Sequence, residues 1–403
     1  MNKVYLDHSA TTRTDDDVAK LMVEYMTDHF GNPSSIHSFG RSARKAVEEA
    51  REKIAGAIGA EPNDIIFTSG GTEADNIAVR GVAYANKKRG NHIITSSIEH
   101  HAVMDTCKSL EREGFQVTYL RVDEYGRVSV EDVKKAITDQ TILISVMHAN
   151  NEVGTIQPIK EIGAVAREKG IYFHSDTVQS VGKIPVDVNE LNIDLLAISA
   201  HKFYGPKGIG CMYMRKGVRL LPISFGGSQE RKRRPGTLNV PGIVGFAMAL
   251  EKAVGSIAQQ SSYQSGLRDK LIKEIMDKID YVKLNGHPTE RLPNNVNLSF
   301  QFIEGESLLL SLDMKGVAAS SGSACTSGSL DPSHVLLAMG MSHEIAHGSL
   351  RMTLGKDNTA EQIDYVVEVL PEIVERLRAM SPLYADRMKG DSQLKKGCCS
   401  NVH

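Results

Sequence analysis

The chain has 403 residues, 41% of them hydrophobic and 24% charged, with a formal net charge of −2 at pH 7. That length exceeds one small core and implies two domains. The balance of charge gives no electrostatic case for nucleic acid or an anionic membrane surface, and no apolar run reaches the ~20 residues of a membrane span.

In chain order, residues 65–68, 93–95, 117–120, 142–146, 171–173 and 195–198 are short apolar runs of the kind that form strands buried on both faces. A helix is expected over 42–58, where Ala43, Ala46, Val47, Ala50 and Ile54 share one face, and another over 102–113, closed by Gly114. Alternating strand and helix predicts an α/β fold with a doubly wound, mostly parallel sheet, here assigned to residues 14–257. After about residue 255 the pattern changes. A polar helix over 258–279 leads to a strand at 281–284 and an Asn285-Gly286 turn. A strand at 296–300, a helix from 306, a strand at 350–354 and a helix over 359–380 follow. They form a smaller α+β domain of residues 258–385, to which residues 1–13 are joined. The polar, aperiodic stretch 386–403 is expected to be a disordered tail.

The cysteines are Cys107, Cys211, Cys325, Cys398 and Cys399. Their odd number and the lack of zinc-type spacing point to reduced thiols in a cytoplasm and to no metal site, and the N-terminus does not read as a signal peptide. Cys325 stands in Ala319-Ser320-Ser321-Gly322-Ser323-Ala324-Cys325-Thr326-Ser327-Gly328, residues too small to bury it, so a mobile surface loop is expected. A thiol there can be carried to a substrate and away again.

Four further signals fall at predicted strand ends. Lys202 follows the run 195–199, where open α/β sheets place ligands, and a desolvated amine there can form a Schiff base with an aldehyde cofactor. Asp176 ends another run and could keep a pyridine nitrogen protonated, with Gln179 in reach of the neighbouring ring oxygen; read alone, it is a helix N-cap. Thr68-Ser69-Gly70-Gly71-Thr72-Glu73 opens a helix whose N–H groups, with the Thr72 hydroxyl, can hold a phosphate. His100, in Glu99-His100-His101, could stack on an aromatic cofactor or move protons. Together these are the equipment of a pyridoxal-phosphate enzyme.

With Leu6-Asp7-His8-Ser9-Ala10-Thr11-Thr12, Phe30-Gly31-Asn32-Pro33-Ser34-Ser35, His148-Ala149-Asn150-Asn151-Glu152-Val153-Gly154 and Arg234-Pro235-Gly236-Thr237, these motifs run through nearly the whole chain. The chain resembles the cysteine desulfurases of the NifS/IscS type, in the class V aminotransferase branch of fold-type I pyridoxal-phosphate enzymes. The resemblance implies that Lys202 holds pyridoxal 5′-phosphate as an internal aldimine, with His100 stacked on its ring, Asp176 on its nitrogen and Gln179 on its phenolic oxygen. It assigns the phosphate to Gly71, Thr72, Ser199 and His201, and to Thr237 acting on the partner subunit of a homodimer. Asn151, also beside the cofactor, and Arg351 would hold the carboxylate of L-cysteine. Cys325 would take the sulfur as a persulfide and pass it to an acceptor protein, an iron–sulfur scaffold by default. A selenocysteine lyase or another class V lyase or aminotransferase shares this scaffold, and a non-catalytic scaffold subunit is a further alternative. The long Ser-Gly loop resembles the group with an extended active-site loop. The Cys398-Cys399 tail has no counterpart in the pattern.

Overall fold

The computed structural model describes residues 3–321 and 332–388. The segment holding Cys325 and the tail holding Cys398 and Cys399 lie outside the described residues, and with them the expected loop mobility and most of the expected disordered tail. Residues 382–388 are helical, so the helical chain passes the boundary expected at 385.

After β1 (Val4–Tyr5), the central sheet takes β2 (Ile65–Thr68), β3 (His92–Ser96), β4 (Gln116–Leu120), β5 (Thr141–Ser145), β6 (Tyr172–Asp176), β7 (Leu195–Ser199) and β8 (Gly210–Met214). Their spatial order is β2-β8-β7-β6-β5-β3-β4. Neighbours from β7 to β4 are parallel, whereas β8 runs antiparallel to both β7 and β2. The apolar run of β8 was not among the expected strands. Residues 200–209 link β7 to β8, short of the dozen or so that a parallel crossover needs, so the chain returns antiparallel.

Side-chain alternation splits each central strand between two cores. On β7, Leu195 and Ala197 face one side with Ile77, Val82, Val103 and Leu110; Leu196 and Ile198 face the other with Val47, Ile54, Ile162 and Phe246. The helices Gly71–Asn86 and His101–Arg112 cover the first face, while Ser38–Ala57, Ile159–Glu168 and Val240–Gly255 cover the second. With helices on both faces the strands read as unbroken apolar runs, which is why the sequence exposed them.

A separate core gathers β9 (Val282–Leu284), β10 (Asn295–Phe300), β11 (Val317–Ala318), β12 (Ser349–Thr353) and the helices Ile257–Lys278 and Ala360–Ala379. The antiparallel order is β12-β10-β9, and β1 pairs with β11 so that Val4 and Leu6 enter this core. The final helix starts on a capping box between Thr359 and Gln362. Among the described residues no single helix is long and apolar enough to cross a membrane.

Candidate active site

The carboxyl ends of β3, β5, β6 and β7 lie along one edge of the central sheet and face β12 across a cavity of about 370 Å³. Gly71, Thr72, His100, Asn151, Asp176, Gln179, Ser199, His201, Lys202 and Arg351 all line it. Ser199, His201, Gly71 and Thr72 also border an adjoining hollow of about 350 Å³, together with Lys207.

At that end the first turn of Gly71–Asn86 presents N–H groups with no intrahelical partner, the usual anion-binding arrangement of a helix N-terminus. Gly71 is required by packing: a Cβ there would stand 2.6 Å from Val178 Cγ2. Burial pushes the His201 imidazole down to about 4, helped by Lys202, Lys207 and Lys183, so at neutral pH it is uncharged. Its Nδ1 lies 3.1 Å from the Thr11 hydroxyl.

Lys202 Nζ donates to the carbonyls of Ser9 and Ala10 at 2.6 and 2.8 Å, so the N-terminal turn holds the amine at the cavity. Asp176 is 6% exposed, and its Oδ1 accepts the Val178 N–H at 2.9 Å. It therefore makes the local turn bond of a capping residue and also lines the cavity. Burial raises its carboxyl above the usual range, while His100 and Lys202 opposite it favour the ionised form.

His100 caps its own helix, Nδ1 accepting the Ala102 N–H at 3.1 Å. That bond leaves the proton of the neutral ring on Nε2. Burial holds the imidazole below its usual value, with Asp176 pulling the other way.

Arg351, in the middle of β12, is 2% exposed. It donates to Asp7 Oδ1 at 2.9 Å and to the Asn151 carbonyl at 3.1 Å, and its Nε has no partner. A buried guanidinium with a donor to spare is suited to a carboxylate. Ser320 pairs with Arg351 through two backbone bonds of 2.7 and 3.1 Å, and the Ser333 hydroxyl donates to Glu152, beside Asn151. Both flanks of the segment bearing Cys325 are thus fastened at the cavity. The other described thiols, Cys107 and Cys211, are fully buried; burial pushes Cys107 to about 12 and Cys211 higher still, which leaves both inert.

The site fits pyridoxal 5′-phosphate. A helix N-terminus able to take an anion, an amine and a buried carboxylate line one cavity, the three groups that its phosphate, aldehyde and ring nitrogen require. The donor atoms of Asp75, His100 and Asp176 lie within 4.8 Å of one another, at the carboxylate end of this cavity.

Sequence reasoning missed several members. Asp75 lines the cavity, is 1% exposed, and has one oxygen 3.3 Å from His174 Nε2 without a hydrogen bond. Burial, with Asp176 and Glu99 near, raises its carboxyl well above the usual range. A carboxylate between Ala74 and Ile77 on an apolar helix face was the available signal. The carbonyls of Ser9 and Ala10 carry no side-chain signal at all. Thr237 is exposed and does not line the cavity of its own chain.

Residues 4–366 match the class-V aminotransferase family. A cysteine desulfurase IscS of Methanosarcina thermophila is 59% identical over 94% of this chain and 94% of its own. A solved NifS-like protein superposes with a TM-score of 0.88 and 41% identity, covering 93% of this chain and all of that one. SspA, solved in complex with cysteine, gives a TM-score of 0.78 and 38% identity over 87% of this chain and 99% of its own.

Proposed function

The chain belongs to the class-V aminotransferase family, and we infer from its 59% identity to a cysteine desulfurase over 94% of its length that it is a pyridoxal-phosphate-dependent cysteine desulfurase. One observation carries the roles: Lys202, Asp176, His100, the helix N-terminus at Gly71 and Arg351 converge on one cavity.

When bound, pyridoxal 5′-phosphate supplies an aldehyde for exchange with the substrate amine and an electron sink for charge at its α-carbon. Lys202, whose amine Ser9 and Ala10 orient, would hold the cofactor through its aldehyde and would take the substrate's α-proton on Nζ. Asp176 would pair with the ring nitrogen and hold a proton there, its ionised form favoured by His100 and Lys202. Gly71, Thr72, Ser199 and His201 hold the phosphate. Gln179 and Asn151 border the ring. Arg351 binds the substrate carboxylate, sharing its guanidinium with Asp7. His100 would lie against the ring, with Nε2–H as a donor toward the substrate.

Cys325, as thiolate, attacks the substrate sulfur. A sulfur–sulfur bond forms, the carbon–sulfur bond breaks, and its electron pair stays with the carbon skeleton released as alanine. Cys325 is five residues beyond Ser320, a stretch of chain spanning at most about 18 Å. The persulfide then passes to an acceptor protein, for which an iron–sulfur scaffold is proposed. A thiolate nucleophile needs a reducing compartment, and the cytoplasm is the proposed location.

A homodimer is also proposed. Val23, Met26, Phe30, Ile36 and Phe39 are between 55% and 88% exposed. That apolar surface adjoins the stretch before Val240 that carries Thr237, because Pro33 and Ser34 share one hollow with Gln229, Glu230, Arg231 and Leu238. Thr237 would then reach the partner's phosphate site.

The test is the visible spectrum of purified protein before and after L-cysteine, with alanine and sulfide assayed under reductant. A band perturbed by cysteine, followed by equal alanine and sulfide, is expected. A band without alanine would transfer the scaffold to another substrate.

A further inference from the structure

Gln179 is held from both ends. Its Nε2 donates to the Ser9 carbonyl at 3.0 Å, and its Oε1 accepts from Lys183 Nζ at 3.0 Å. The Ser9 carbonyl is the same one that takes the Lys202 amine, so a single chain of hydrogen bonds runs from Lys183 through Gln179 and Ser9 to Lys202.

The fold builds this contact deliberately at the main chain. The backbone turns at Gly182 with φ +77, where a Cβ would meet Ala253 Cβ at 3.0 Å and Phe203 Cβ at 3.1 Å. Lys183 N–H then bonds the Ser180 carbonyl at 3.0 Å, and the Lys183 carbonyl takes the Ser261 hydroxyl at 2.7 Å. With its backbone fixed, the lysine side chain reaches Gln179, which lines the cavity, without lining that cavity itself. It lines a separate hollow of about 120 Å³ whose wall also includes Lys202.

A primary amide has nearly the same shape in either orientation, so its partners decide which end faces where. An ammonium group has donors and no acceptor. It therefore fixes the Gln179 oxygen on its own side and turns the NH2 group toward Ser9 and the cavity. The phenolic oxygen of pyridoxal phosphate is an acceptor and needs a donor; an amide turned the other way would set oxygen against oxygen.

We propose that Lys183 is a positioning residue, which locks the amide of Gln179 so that Nε2–H is presented to the phenolic oxygen of the cofactor. The proposal rests on the reading of this cavity as the pyridoxal-phosphate site. Lys183 touches neither substrate nor cofactor and acts only through Gln179. Burial, with Lys202 and Arg351 as further cations, holds its amine down at about 7; when neutral it still donates to Oε1, because the Ser9 carbonyl can only accept and keeps Nε2 on the cavity side.

The experiment loads wild-type protein, Lys183→Met, Lys183→Arg, Gln179→Ala and the double variant K183M/Q179A with pyridoxal phosphate. It records the visible absorption band, the cofactor dissociation constant and the unfolding midpoint of each. Lys183→Met should shift the band and weaken cofactor binding about tenfold, the loss of one charge-assisted hydrogen bond and of amide orientation. Lys183→Arg, whose side chain also only donates, should restore most of both. The double variant should bind no more weakly than Gln179→Ala, because the two residues form one device. A Lys183→Met band and affinity equal to wild type would overturn the proposal, as would losses that simply add in the double variant. If Lys183→Met does not fold, the Arg variant carries the comparison: a band and affinity near wild type support the proposal, and a loss equal to that of Gln179→Ala overturns it. A wild-type protein that shows no band overturns the reading of the cavity itself, and the proposal with it.

Discussion

The two sheets furnish the cavity in different ways. The seven-stranded sheet delivers its groups at or just beyond strand ends: His100 after β3, Asn151 after β5, Asp176 closing β6, Ser199 closing β7 and Lys202 directly after it. The three-stranded sheet delivers Arg351 from inside β12, where it pairs with Asn297 of β10. Groups at strand ends can be changed without touching the ladder beneath them. A charged group inside a strand ties recognition of the substrate to the integrity of the core around it.

Five substitutions test that contrast. Lys202→Ala should lower alanine formation by roughly 10³-fold or more and abolish the covalent cofactor band, while the unfolding midpoint stays near wild type. A large drop in midpoint would mean that strand-end groups also carry the fold. Cys325→Ser should stop alanine release from L-cysteine by at least about 10²-fold with the cofactor band intact; alanine formed at the wild-type rate would remove Cys325 from its role.

Arg351→Gln should act on both counts. KM for cysteine should rise roughly 10²-fold, and stability should fall by about 1–2 kcal/mol because Asp7, partly open to solvent, loses its ion pair. A kinetic defect with unchanged stability would break the comparison. Glu230→Ala probes the support of the strand-end region instead. Its carboxylate accepts two bonds from Arg51, at 3.0 and 2.8 Å, and one from the Phe67 N–H at 2.8 Å. These bonds pin a turn in which Glu230, Arg231 and Lys232 have φ of 44, 57 and 66, a conformation unfavourable by about 1–2 kcal/mol for each residue with a side chain. Arg51 would keep only the exposed Glu48 carboxylate at 3.3 Å and the Ile65 carbonyl at 2.7 Å, and losing its buried partner should cost about 2–4 kcal/mol, read as a lower denaturation midpoint. The smallest effect is expected at Cys107→Ala: activity within about twofold of wild type and a stability loss of about 1 kcal/mol. A larger activity loss would show that a buried thiol takes part.

The candidate site was legible where its chemistry is local. Lys202 and Asp176 stand at the ends of apolar runs, so the strand and the polar residue that leaves it are read together. Gly71 and Thr72 are legible for the same reason, as a turn that opens a helix. Asp75 was missed because a carboxylate one turn into a helix announces solvent, and only the packing of that helix on the sheet buries it. Lys183 was missed because its partner is a side-chain oxygen on the far side of a turn, and its spacing from Gln179 carries no pattern outside a helix.

The sequence by itself determined the alternation of strand and helix and which polar residues follow the buried strands, because hydrophobic period and turn residues act over a few neighbours. Tertiary structure alone decided the rest. It reversed β8 between β2 and β7, since the linker is too short to cross the sheet. It paired β1 with β11 and so brought the carbonyls of Ser9 and Ala10 onto Lys202. It set Arg351 of the small sheet in one cavity with Asp176 of the central sheet. Those contacts join residues hundreds of positions apart, and only burial of the two cores supplies the free energy that holds them together.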